Sequence, residues 1–196
     1  MEYFGDAVVL CGGSSRRMSF DKTYLRFEGR YLLEIIIERL KECFTNVRLC
    51  SKPNDKLSLF KSEVIEDLYE GKKGPAVGIY SSLIKAESKY VFVTACDMPF
   101  IDIQHIEFMK NQIKQGGYTA DALVPMNKGY IEPLYSFYSI DMAKIFEQEI
   151  EDENYMIQTI LNKGNTVYMQ DKLSREFENN LKMFTNINYI ADFENL

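Results

Sequence analysis

Asp6-Ala7-Val8-Val9-Leu10-Cys11-Gly12-Gly13 carries five apolar residues in a row, Ala7 to Cys11, straight into a pair of glycines. An unbroken apolar run of that length, stopped by glycine, reads as a strand buried on both faces, and such strands belong to parallel sheets. The glycine pair then reads as the loop leaving the strand's carboxyl end. Downstream the pattern alternates. Leu33, Ile36, Ile37, Leu40 and Phe44 recur at helical spacing and predict an amphipathic helix over Tyr31–Cys43. Strands are expected at Asn46–Ser51 and Glu63–Ile65, then a helix at Pro75–Ala86 opened by proline, where a missing N–H costs little. Tyr90–Ala95 reads as another buried strand, followed by a helix from Ile103 to Gln115 with Asp102 as its N-cap. The second half is less regular, with strands at Ala122–Met126, Pro133–Tyr138 and Thr166–Gln170 and helical patterns in Met142–Glu149 and Tyr155–Lys163. Right-handed crossovers between such strands give an α/β, Rossmann-like, three-layer fold: a central, mostly parallel twisted sheet with helices on both faces. Ligands of such sheets bind at the carboxyl ends of the strands, which directs attention to the loops after Cys11 and Ala95.

Composition narrows the function. The chain has 196 residues, 46% hydrophobic and 27% charged, which predicts a single globular domain. Twenty-three Lys and Arg against 29 acids leave a net charge of −6, which argues against a nucleic-acid binder that neutralises phosphates over a broad face. The longest apolar segment, Tyr31–Leu40, is interrupted by Glu34, Glu38 and Arg39, and no stretch reaches the roughly 18 apolar residues of a membrane span. Glu2 and the lack of an early basic region do not read as a secretory signal, so a cytoplasmic location is expected. Cys11, Cys43, Cys50 and Cys96 form no CxxC pair and sit among apolar residues, the pattern of reduced, buried thiols. With one histidine, a multi-histidine metal site is excluded and a Ser-His-Asp triad would hinge on His105, whose place at a helix start predicts a surface position.

The chemistry concentrates in Leu10–Lys22. Gly12 and Gly13 let backbone N–H groups approach an anion, Ser14 and Ser15 keep the loop narrow, and Arg16, Arg17 and Lys22 add positive charge. This is the make-up of a polyphosphate cradle, yet it matches neither GxxxxGK[ST] nor GxGxxG, so P-loop hydrolysis and Rossmann-type hydride transfer lose support. Asp97, just past the Tyr90–Ala95 strand, lies at the same sheet edge, where a carboxylate can hold Mg²⁺ on bound phosphates. Asp67 reaches that edge too. The plain alternatives are a solvated surface turn for the basic loop, a turn cap for Asp97 and mere exposure for Asp67. Together, the glycine loop, Arg17, Lys22 and Asp97 suggest nucleotidyl transfer. An acceptor phosphate then attacks the α-phosphorus of a nucleoside triphosphate, and the protein chiefly positions groups and neutralises charge.

Leu10–Lys22 resembles the signature LxGGxSxRMGxDK of the molybdenum cofactor guanylyltransferases, within the nucleotidyltransferase superfamily. Gly74-Pro75-Ala76-Val77-Gly78 resembles that family's GPLAG segment, and Ala95-Cys96-Asp97-Met98-Pro99-Phe100 resembles its xCDMPF/Y metal motif. Glu132-Pro133-Leu134-Tyr135 resembles EPL, and Phe184-Thr185-Asn186-Ile187-Asn188 resembles FxNiN, so the likeness spans nearly the whole chain. The resemblance implies a single nucleotidyltransferase domain over residues 1–196, with a nucleotide-binding half at 1–102 and an acceptor-binding half at 103–196. It implies that Lys22 and Arg17 contact the triphosphate, that the backbone of Leu10, Cys11, Gly12 and Gly13 lines the nucleotide pocket, and that Asp97 binds Mg²⁺. Asp67 and the loop ending in Gly78 would read guanine, whose N1–H and exocyclic amine suit a carboxylate. Asn186 and Asn188 would face the acceptor. The implied substrates are GTP and molybdopterin, and the implied partners are the proteins that insert molybdenum and the molybdoenzymes that take up the cofactor.

The chain departs from the pattern at Ser19, where the family carries glycine, at Tyr189-Ile190, where Thr-Pro is expected, and around Cys50-Ser51, where an asparagine is expected near the nucleotide. Three alternatives stay open on sequence: a cytidylyltransferase for the same pterin, a sugar-phosphate nucleotidyltransferase, and a catalytically inactive nucleotide- or cofactor-binding protein.

Overall fold

The computed structural model describes residues 1–11, 22–27, 29–52, 55–69 and 74–187. In chain order its elements are β1 (Asp6–Leu10), β2 (Arg26–Phe27), β3 (Arg30–Tyr31), α1 (Leu32–Leu40), β4 (Asn46–Ser51), β5 (Val64–Glu66), α2 (Pro75–Ile84) and β6 (Tyr90–Ala95). There follow α3 (Ile103–Gln115), β7 (Ala122–Asn127), β8 (Tyr130–Ile131), β9 (Tyr135–Ser139), α4 (Ala143–Glu151), α5 (Ile157–Leu161), β10 (Thr166–Met169) and α6 (Asp171–Ser174).

The main sheet runs β10-β7-β9-β6-β1-β4-β5, with β8 paired to β7. Strand β1 sits between β4 and β6, parallel to both, as its all-apolar core requires. Alternate residues of β1 feed opposite layers. Ala7 and Val9 face the core under α1 and α3, whereas Val8 and Leu10 face the core under α2, α4 and α5. The expected three-layer α/β architecture is the one observed.

The sheet is mostly parallel; short β8 is antiparallel to β7, and β9 runs antiparallel to both its neighbours, β6 on one side and β7 on the other. Its direction follows from a local turn. Asn127 pairs with Tyr130 across Lys128-Gly129, whose φ values of 51° and 84° place both central residues in the left-handed region of a tight hairpin turn. The chain thus doubles back through β8, and the strand expected to begin at Pro133 begins at Tyr135 instead. The helix expected over Met142–Glu149 runs from Ala143 to Glu151, with Met142 ending a short 3-10 turn.

Asp102 caps α3 as expected, accepting the His105 backbone N–H at 3.0 Å. The expectation of a surface His105 is overturned: the side chain is 0% exposed, because the i+3 position from the cap turns inward with Ile106 and Met109. Its Nε2 shares a 3.0 Å hydrogen bond with Ser174 Oγ, while Nδ1 is buried with no hydrogen-bond partner. Phe177 and Phe184 pack edge-on against the ring at 5.5 and 6.0 Å.

Burial disfavours the imidazolium and pulls the His105 pKa down to about 4, against which Asp102 pushes weakly upward. The unfolded chain therefore binds the proton first, and stability contributed by neutral His105 is complete above pH 6.5 and is lost as pH falls toward 4. Unfolding free energies from urea titrations between pH 7 and 4.5 are expected to fall with a slope approaching about 1.4 kcal/mol per pH unit beyond that of His105→Gln. Parallel curves for the two proteins would remove His105 as the cause.

Candidate active site

Parallel strands put their carboxyl ends at one edge, and here the ladder continues past them. Cys11 N–H donates to Cys50 O at 2.7 Å, Cys96 N–H to Leu10 O at 3.1 Å, and Asp67 N–H to Ser51 O at 3.1 Å. These bonds line up the residues following β1, β4, β5 and β6 in one row. Three inter-strand steps separate β5 from β6, so the strand ends that Asp67 and Asp97 follow lie about 14 Å apart across the sheet, the scale of one extended nucleotide.

Helix α2 closes one side of the row. Pro75 starts it at a position needing no N–H, and Val77, Ile79, Tyr80 and Leu83 bury it against the sheet. The approach is close at Gly78: a Cβ there would lie 3.1 Å from Leu10 Cδ2 and 3.7 Å from Cys50 Sγ. Glycine at 78 lets the first turn of α2 rest on the ends of β1 and β4. Leu10, Cys50, Asp67 and Gly78 thus form one compact group.

On the other side of β1, Asp97 sits in the turn after β6, partly exposed between buried Cys96 and Met98. Its carbonyl accepts the Ile187 N–H at 2.7 Å, and Ile187 is 0% exposed in a cluster with Leu25 and Leu32. This bond pins the described part of the FxNiN motif, residues 184–187, beside Asp97 and holds exposed Asn186 at the same edge. Leu25 belongs to the segment just after Lys22–Tyr24, a short 3-10 turn, so the chain leaving the glycine loop also returns to this edge.

The EPL segment contributes Glu132, half-buried, whose Oε1 accepts Asn127 Nδ2 at 3.0 Å. Burial raises its carboxyl pKa, and the Asn127 amide counteracts part of that rise.

Leu10, Cys11, Asp67, Gly78, Asp97 and Asn186 are therefore brought together. Gly12, Gly13, Arg17 and Asn188 lie outside the described residues, as does the side chain of Lys22. Cys50 is the site residue that sequence reasoning left without a role; its signal is positional, as the last buried position but one of a strand flanking β1. All four cysteines are reduced thiols, three of them buried and Cys43 partly so. The contact of His105 with Ser174 is no nucleophilic device, since both side chains are 0% exposed.

Among the described residues no three His, Cys, Asp or Glu side chains gather as a metal cluster. Magnesium does not need one: it keeps several waters and binds through one or two carboxylates plus substrate phosphates. Asp97, a partly exposed carboxylate in the turn after β6, suits that manner of binding. Among the described residues no helix is long and apolar enough to cross a membrane.

Comparison with known proteins agrees with this geometry. The model of the MobA-like NTP transferase domain matches residues 7–167. A "Probable molybdenum cofactor guanylyltransferase" of Peptoclostridium acidaminophilum is 34% identical over 192 residues, covering 96% of this chain and 86% of that protein. The molybdenum cofactor guanylyltransferase of Syntrophotalea carbinolica is also 34% identical, covering 97% of this chain and 90% of that one. Among solved structures, molybdopterin-guanine dinucleotide biosynthesis protein A from Archaeoglobus fulgidus superposes with a TM-score of 0.83 at 28% identity, over 97% of this chain and 95% of that chain. A nucleotidyltransferase fold, a row of strand-end residues suited to a nucleotide, and similarity along nearly the full length place this chain in the family of MobA-like NTP transferases.

Proposed function

We propose that this enzyme transfers the guanylyl group of GTP to the phosphate of molybdopterin, releasing pyrophosphate and forming the guanine dinucleotide form of the cofactor, in the cytoplasm. The observation that carries the proposal is the row of strand ends with Asp67 at one end, Asp97 toward the other and Asn186 beside it. In this reading the base lies at the Asp67–Gly78 end, where a carboxylate accepts from guanine N1–H and the exocyclic amine. The triphosphate crosses the end of β1, and the glycine loop, Arg17 and Lys22 would supply the N–H groups and positive charge that it needs. The acceptor lies beyond Asp97, with Asn186 and Asn188 on its side, in the half formed by residues 103–196.

An oxygen of the acceptor phosphate forms a bond to the α-phosphorus as the bond to the β-phosphate oxygen breaks, and pyrophosphate carries away the electron pair. No protein nucleophile is needed. The work of the chain is to hold the two phosphates in line, to offer N–H groups and cationic side chains to the phosphoryl oxygens, and to keep the base in register. Asp97 would hold Mg²⁺, which supplies neutralisation of the phosphate charge.

The test is pyrophosphate release from GTP, CTP or ATP with Mg²⁺ and molybdopterin, together with a thermal-shift panel of the same nucleotides. A selective GTP shift and GTP-dependent release are expected, because a ligand bound by the native state raises apparent stability by mass action. Preference for CTP would move the chain to the cytidylyl relatives. A GTP shift without turnover in the presence of acceptor would favour a binding protein.

A further inference from the structure

Cys50 is 2% exposed and lies in β4 opposite Leu10 on one side and Ile65 on the other. Its Sγ stands 3.5 Å from Asp67 Oδ1 and 3.5 Å from the carbonyl oxygen of Gly78. A thiol has one proton, so the two acceptors compete for it. The Gly78 carbonyl is already served, since Ser82 Oγ donates to it at 2.6 Å. A carboxylate is the stronger acceptor, because hydrogen bonds to charged groups are shorter and stronger than neutral ones. The proton therefore points to Asp67.

Asp67 is otherwise anchored through its backbone, whose N–H donates to Ser51 O at 3.1 Å. That bond fixes the Cα and leaves the carboxyl group free to rotate about its side-chain torsions. We infer that Cys50 is a positioning residue for base selection: its S–H holds Oδ1 of Asp67, so that the carboxylate is presented to the base in a fixed orientation. Two further features fit this role. Burial, together with the neighbouring Asp67 charge, keeps the thiol protonated and so a donor. Gly78, which packs close to Cys50 Sγ, joins the same device to the first turn of α2. The inference rests on the reading of Asp67 as the residue that recognises guanine.

The experiment measures dissociation constants of GTP and ATP, with Mg²⁺ and no acceptor, for the parent protein and for Cys50→Ala, Cys50→Val, Cys50→Ser and Asp67→Ala. The preference for GTP over ATP is expected to fall between about two- and tenfold in both Cys50→Ala and Cys50→Val, the range of one hydrogen bond. Cys50→Ser keeps a donor and should retain the preference. Alanine and valine differ in volume but share the lack of a donor, so a packing role would separate them, whereas a positioning role makes them alike. Melting temperatures without nucleotide identify any variant that fails to fold, and the other donorless variant then carries the test. An unchanged preference in the donorless variants, with a reduced one in Asp67→Ala, would overturn the role of Cys50 and leave Asp67 in the base site. An unchanged preference in Asp67→Ala would remove Asp67 from the base site and the inference with it.

Discussion

Replacing Asp97 by asparagine is expected to lower guanylyl transfer roughly a thousandfold, about 4 kcal/mol of transition-state stabilisation, while the melting temperature stays near that of the parent. The structural cost is small for identifiable reasons. Asp97 is partly exposed, and one bond that holds its residue in the fold is made by the backbone: its carbonyl accepts the Ile187 N–H at 2.7 Å. Asparagine preserves that bond and the side-chain shape. What it loses is a formal negative charge at the edge where the triphosphate and its metal are expected, and charge at that point acts on the phosphoryl group as it is transferred. The two readings of the family thus separate cleanly. A nucleotide-binding protein without catalysis has no turnover to lose and keeps its affinity when metal is not required. Parent-like turnover in Asp97→Asn, measured as pyrophosphate release at saturating GTP, would take Asp97 out of the chemistry.

The parallel half of the fold was readable because its strands are buried on both faces. Tyr90–Ala95 appears at the residues its apolar run marks, since such a run has few other ways to leave water, and Asn46–Ser51 appears at its expected bounds although Arg48 interrupts its apolar residues. The same holds for α3, where a cap and a helical period agree. The reading failed where structure is set by very short elements. Strands β2, β3 and β8 have two residues each, too few to show a period, and they exist because turns at Gly29 and at Lys128-Gly129 bring their ends together. His105 was misplaced for another reason. Its helix start was right, but the burial of that turn depends on Ser174, Phe177 and Phe184, far along the chain, which come back to cover it.

The site divides along the same line. Leu10, Cys11 and Asp97 are legible because each ends a strand that the sequence marks or lies within two residues of its end, and strand ends of parallel sheets collect at one edge. Nothing local links Cys50 to Asp67 or to Gly78. Their meeting depends on β4 lying between β1 and β5 and on α2 packing across all three, facts of topology that no window of sequence contains. Asn186 is intermediate: its motif is visible, but its position beside Asp97 depends on the Ile187 backbone bond.

At the opposite edge, Asp6→Ala is expected to destabilise the protein by about 3–5 kcal/mol, the cost of removing one partner from a buried ion pair. Asp6 opens β1 and is 1% exposed, and Arg48 on β4 is 5% exposed. Oδ1 of Asp6 accepts Arg48 Nη1 and Asn46 Nδ2, both at 2.9 Å, and Oδ2 accepts the backbone N–H groups of Glu87 and Ser88, both at 2.6 Å. Removal of the carboxylate strands four donors at once, two of them main-chain groups at the entrance to β6. Glu63, bonded to Arg48 Nε at 2.8 Å, and Glu87, paired with Nη2, cannot substitute, since their side chains are 67% and 68% exposed and screened by water. For a chain of this size the loss lowers the melting temperature by about 6–20 °C. Arg48→Met in the Asp6→Ala background removes the stranded charge and should recover part of the loss, a coupling of about 1–3 kcal/mol in a double-mutant cycle. Because β1 carries this network at its amino end and the nucleotide row at its carboxyl end, GTP affinity at a permissive temperature should match the parent. Additive effects of the two substitutions would show that Asp6 and Arg48 act independently. Lost GTP affinity in the folded variant would show that the two ends of β1 are coupled.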